Sequence, residues 1–247
     1  MTKYPILKNA PITEALLDIQ LKLPKDFNII EFKSVGKEIS DLFPKEELRK
    51  RIENKIDIKD GEHTITTNEK LDGYRYISDD KSKIVQLRID GFTFNKLKPY
   101  NNWIEFREEA MSLWEKYIDI VTPELIHRVA LRYINNLNIP LQITDLGDYL
   151  VSPPIIPKGL PIKLSSFLNR LVIPEESTKS VAIITQALGK VVENSTSLPI
   201  IVDIDVYKVK QDGFNDKEIW NTLEILRKFK NQIFFSSITD KLKEVYL

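Results

Sequence analysis

The chain contains no cysteine. Disulfides, thiolate metal sites and cysteine nucleophiles are therefore excluded, and nothing calls for an oxidising compartment. Histidine is almost as scarce. His63 and His127 are the two in 247 residues. Neither has a second histidine at ligand spacing, so both read as exposed or edge residues rather than zinc ligands. The eight glycines form no Gly-rich strand-to-helix turn, which removes the Walker and dinucleotide fingerprints. A Gly-x-Ser-x-Gly elbow is missing as well. Excess charge of either sign is lacking, because 36 basic and 36 acidic residues cancel. A general binder of phosphate backbones carries a basic excess. No apolar run approaches the ~18 residues of a membrane helix, and MTKYPILKNAP lacks the apolar stretch of a signal peptide. These absences lead to an expectation of a cytoplasmic protein without membrane contact, cofactor or metal.

What is present is globular in character. Hydrophobic residues make up 42% and charged residues 29%, enough to bury a sizeable core. In NAPITEALLDIQLKLP, Ala15, Leu17, Ile19, Leu21 and Leu23 alternate with Glu14, Asp18, Gln20 and Lys22. That period predicts a strand with one face in a core. The stretch 27–43 has near-helical apolar spacing. Strands are predicted in 51–70 around an Asp60-Gly61 turn, a hairpin in 73–78 and 83–90, and a continuation through 92–97. The segment 103–121 is a strong amphipathic helix, with Trp103, Phe106, Ala110, Leu113, Trp114, Tyr117 and Val121 on one stripe.

The second half repeats the plan. It has a strand in 127–140 and a short helix in 143–150 capped by Thr144 or Asp145. VSPPIIPKGLP (151–161) holds four prolines and must be an irregular loop. A hairpin follows in 165–173 and 179–191, then a strand in 198–210 and a helical region in 215–244. The expected class is α+β: two pseudo-repeated halves, about 1–123 and 124–247, sharing an antiparallel sheet with helices on one face. Placing Pro24 on Pro140 pairs Ala15 with Leu131, Leu17 with Tyr133, Leu21 with Leu137 and Leu23 with Ile139, so apolar parity survives. By analogy of fold this resembles the saddle of TATA-binding-type proteins, and a single composite domain is expected. That analogy implies no function.

Polar patterning marks the candidate sites. Arg128, Arg132 and Asn136 share one face of HRVALRYINN. Arginine there binds carboxylate or phosphate through its planar fork. In a duplicated fold this face adjoins the one holding Glu14 and Asp18, and Arg88 and Asp90 can join it. The other reading is an internal cross-strand salt-bridge network. Asp203 and Asp205, two residues apart on one strand, are weak candidates for a divalent cation with Glu14 or Asp18. The other reading of that pair is a salt-bridged face. Trp103, Trp114 and Trp220 read as core anchors rather than stacking platforms.

Four stretches also carry a resemblance that spans nearly the whole chain: NAPITEALLDIQ, LKPYNNWIEFREEAMSLWEKY, HRVALRYINNLNIP and FFSSITDKL. They resemble a sporadically distributed family of bacterial proteins of about this length with no assigned biochemical function. Its Pro-Ile-x-Glu-Ala and Leu-Arg-Tyr-Ile-Asn motifs correspond to Pro11, Ile12, Glu14, Ala15, Leu131, Arg132, Tyr133, Ile134 and Asn135, and Trp103 also matches. The resemblance brings no catalytic residues. It implies a setting in mobile elements, phage defence or toxin–antitoxin systems. The leading reading is a non-enzymatic protein that binds a protein partner or small anionic ligand through Glu14, Asp18, Arg88, Arg128, Arg132 and Asn136. Two alternatives stand. One is a nucleotide or phosphate-ester sensor or enzyme with an arginine clamp, and the other is a nucleic-acid binder using a concave sheet.

Overall fold

A computed structural model describes residues 4–59, 62–141, 145–161, 164–191, 193 and 195–247, with backbone alone at 53–59 and 62–66. The Asp60-Gly61 turn, the Thr144 cap and the His63 side chain lie outside the described residues.

The first strand, β1 (Ile12–Lys22), is built as its alternation requires. Ala15, Leu17, Ile19 and Leu21 are buried. The predicted helix at 27–43 is shorter than its apolar spacing suggests. A 3-10 turn at Ile29–Glu31 leads into α1 (Phe32–Glu38), and the chain then leaves the helix at Ile39. Pro44 disfavours helical backbone at Phe43, and Phe43 turns inward to meet the Phe94 ring edge-on. Ile30 and Leu42, two of the apolar residues in that stretch, are exposed. Gly36 lies directly against the Tyr76 ring, where any Cβ would collide.

A long hairpin follows, β2 (Lys45–Lys59) and β3 (Glu62–Ile77). After it come β4 (Lys83–Arg88), β5 (Gly91–Leu97) and α2 (Trp103–Ile120). The second half begins with β6 (Leu125–Pro140). The short helix expected at 143–150 is a single 3-10 turn, Leu146–Asp148, capped by the Asp145 side chain. The proline-rich 151–161 stretch contains no strand or helix. The hairpin is β7 (Leu168–Glu175) with β8 (Ser180–Leu188), followed by β9 (Ser197–Val209). The closing helical region is broken in two, α3 (Asp216–Ser237) and α4 (Asp240–Glu244). Between them Ile238 bridges to Leu150, and Thr239 caps α4. Ile225, an apolar residue of α3, is exposed.

Among the described residues, the nine strands form one antiparallel sheet in the order β2-β3-β4-β5-β1-β6-β9-β8-β7. The centre is therefore β1 against β6, with Leu17 opposite Leu131. A continuous apolar core covers one face, with Phe92 and Phe94 from β5, Leu131 and Tyr133 from β6, and Ile204 and Val206 from β9. The helices α2 and α3 bury their apolar stripes in it. Trp103, Trp114 and Trp220 all lie in that core, as anchors. Among the described residues, no helix is long and apolar enough to cross a membrane.

Candidate functional site

The other face of the sheet is where the sequence-predicted polar residues meet. Strand period 2 puts every second side chain there, and the register sets their neighbours. Asp18 lies opposite Thr93 on one side and Ala130 on the other. Leu16 lies opposite Arg132, which in turn lies opposite Asp205. Rows of polar side chains therefore run across β4, β5, β1, β6 and β9.

Asp18 is the hub. Its Oδ1 accepts from Arg88 Nη2 at 2.8 Å and from the Thr93 hydroxyl at 2.7 Å. Its Oδ2 accepts from Arg128 Nη1 at 3.1 Å. Arg88 also reaches Asp90, with Nε to Oδ1 at 2.9 Å, and contacts the Thr93 hydroxyl. Arg128 continues to Asp205 at 3.4 Å and stands over the Tyr207 ring, 4.4 Å from its centroid. Arg132 forms a fork with Asp203 at 2.8 and 2.5 Å. Towards the β2 side, Arg51 joins Asp90 at 3.2 Å, and both Arg49 and Arg51 reach Asp72.

The network is held at the edge of solvent. The Arg88 and Asp18 side chains are 10% and 12% exposed, whereas the Arg132 side chain is 41% exposed. Burial raises the Asp205 carboxyl above its usual range even though Arg128 and Arg132 pull it down. The Asp203 fork, opposing desolvation, raises the Arg132 guanidinium and so holds it charged. Removing ions from water costs energy unless each partner is hydrogen-bonded, and here each arginine has a carboxylate partner.

All six proposed binding residues therefore lie on one face, and five of them have their polar groups tied to others on it. The arrangement is the cross-strand salt-bridge network that stood as the other reading: Asp18 pairs with Arg88 and Arg128, and Arg132 with Asp203. Glu14 instead accepts from Asn95 Nδ2 at 2.6 Å, and Asn95 accepts from Gln86 at 2.9 Å. Asn136 stands apart beside Ile201, with an enclosed Oδ1 that has no partner among the described residues. Asp203 and Asp205, the weak cation candidates, face arginines instead. No group of three or more His, Asp or Glu among the described residues is placed to hold a metal. Thr93, Asn95, Gln86 and Tyr207 were missed. The alternation of FTFN, with Phe92 and Phe94 inward, was the signal for Thr93 and Asn95.

The polar face also carries half-buried aliphatics between the charges: Leu16, Ile134, Ile183 and Ile201. A cavity lies elsewhere, between α2 and α3. It has a volume of 430 Å³ and is lined by Met111, Trp114, Trp220 and flanking charges. No protein-family model and no curated protein matches the chain.

Proposed function

We propose that the protein is a non-enzymatic binding protein whose open sheet face recognises a protein partner. The observation that carries this reading is that the arginines of the face are already paired. A clamp for a nucleotide or phosphate ester needs guanidinium groups free to turn to the ligand, and a nucleic-acid surface needs unpaired cations. Here positive and negative groups alternate, with aliphatic side chains between them. Such a surface suits a partner with complementary charges and its own apolar contacts. Arg132 is the group best placed to respond to a partner, being the most exposed arginine of the central network.

The scaffold is read as an internal duplication. In support, β1 and β6 lie together at the centre, β5 and β9 flank them, and α2 and α3 follow those two strands in the chain. A saddle of this kind offers one broad uncovered surface. The resemblance to the sporadic bacterial family supplies the setting proposed here, phage defence or an antitoxin-like role in the cytoplasm.

The test is native mass spectrometry of protein purified from its own host. The expected result is a co-purifying polypeptide that is lost when Arg132→Ala is introduced, with the melting temperature moved by no more than a few degrees. A bound small anion in place of a polypeptide would overturn the reading, and so would unfolding of the Arg132→Ala protein.

A further inference from the structure

The two ends of the sheet are finished differently. From the central β1–β6 pair, the first half runs outward through β5, β4 and β3 to β2, and the second through β9 and β8 to β7. β2 covers the outer edge of β3 along its length. Nothing among the described residues takes that place beside β7. A few residues upstream of β7 is the 151–161 stretch, where Pro153, Pro154, Pro157 and Pro161 remove amides a strand would donate.

The two edges also differ in chemistry. The β2 edge displays Lys45, Glu46, Glu47, Arg49, Lys50 and Arg51, the charges that keep an edge strand from pairing. The β7 edge displays aliphatics: Leu168 is 73% exposed, Val172 52%, Leu171 45% and Ile173 41%. Its backbone is also available. Leu188 donates its amide to the Phe167 carbonyl, and the register runs on from there. Odd-numbered residues of β7 thus exchange hydrogen bonds with β8, while Leu168, Arg170 and Val172 turn their amides and carbonyls outward. Pro174 also falls at an outward position, so it takes nothing from β8 but offers no N–H to a strand laid alongside, and backbone exchange on this edge is centred on Val172.

We infer that β7 is the contact of a homodimer, in which it pairs antiparallel with β7 of a second copy about a twofold axis at Val172. In that register Val172 meets its own counterpart, and Leu171 meets the partner subunit's Ile173. Arg170 lies towards the partner subunit's Glu176, the first residue of the turn after β7, so opposite charges meet at the ends of the pair. The two nine-stranded sheets become one continuous sheet, and four exposed aliphatics per chain leave water.

The absence of cysteine makes the test direct. In this register the two Cα atoms of residue 172 stand about 5.5 Å apart, within disulfide range. Those of residue 170 are four positions out of step, roughly 13 Å apart. Val172→Cys is expected to cross-link to a covalent dimer under mild oxidation roughly tenfold or more faster than Arg170→Cys. The unmodified chain is expected to sediment increasingly as a dimer as its concentration is raised. Val172→Lys is expected to stay monomeric, with the melting temperature of the dilute wild-type chain. Equal cross-linking of the two cysteine variants would overturn the inference. So would a wild-type chain that stays monomeric at all concentrations, or a different protein's strand found on this edge.

Discussion

Asp18 sits between Arg88, Arg128 and the Thr93 hydroxyl, so one carboxylate organises three strands. Lys230 is the contrasting case. It is 9% exposed, makes no ion pair among the described residues, and its Nζ stands 3.8 Å from the centroid of the Tyr133 ring. Burial, with the Arg227 charge adding to it, brings its ammonium down from 10.5 to about 7. Tyr133, also facing it, is itself pushed well up by burial and stays neutral. Between pH 7 and 10.5 the unfolded chain binds the proton that the folded chain does not, so this group lets stability rise with pH across that window. Lys230→Met is therefore expected to be more stable than the wild type at pH 7, by about 2 kcal/mol. Urea titrations at pH 7 and pH 10 should show the gap closing as pH rises. A pH-independent gap would mean that the lysine carries no buried charge.

The helices show how local chemistry and tertiary demand divide the work at the element scale. α3 begins with a capping box: Glu218 N donates to Asn215 Oδ1, and Asn215 N donates to Glu218 Oε2, both at 3.0 Å. Two buried indoles then tie α2 to α3. Trp103 Nε1 donates to Glu224 at 2.7 Å, and Trp114 Nε1 donates to Asp216 at 3.1 Å. Asn215→Ala removes the cap and is expected to lower stability by about 1 kcal/mol, read as a shift of the urea midpoint at constant slope. A larger loss, with a changed slope, would mean that the turn before α3 also holds the sheet. The start of α3 was readable from Asn215 and its neighbours. Its end was not, because Ile238 leaves the helix to bridge Leu150, far away in the chain. α1 stops early for a related reason, since Phe43 belongs to the aromatic cluster rather than to a longer helix.

At the scale of the whole molecule, the decisive contact is β1 against β6. Each half presents its first strand to the other, and Leu17 and Leu131 lie opposite one another within a single core. Neither half can keep its central strand buried without the other. Urea unfolding is thus expected to be one transition, with tryptophan fluorescence and far-ultraviolet circular dichroism coinciding. Trp103 and Trp114 report on the first half and Trp220 on the second. Two separated transitions would show that the halves fold independently.

The sequence by itself determined which side chains face the core and which face outward, because a strand allows two faces and a helix one stripe. Hence Ala15, Leu17 and Ile19, the tryptophans, and the polar set of Glu14, Asp18, Arg88, Arg128 and Arg132 were all legible. What it could not determine was who pairs with whom. Register depends on where distant strands come to lie, and a strand carries no record of its neighbour across the sheet. Only the tertiary structure set Asp203 against Arg132, joined Asn95 to Glu14, and left the apolar edge of β7 with no strand beside it among the described residues. The face of NAPITEALLDIQLKLP that looks away from the core therefore meets arginine at Asp18, and asparagine at Glu14.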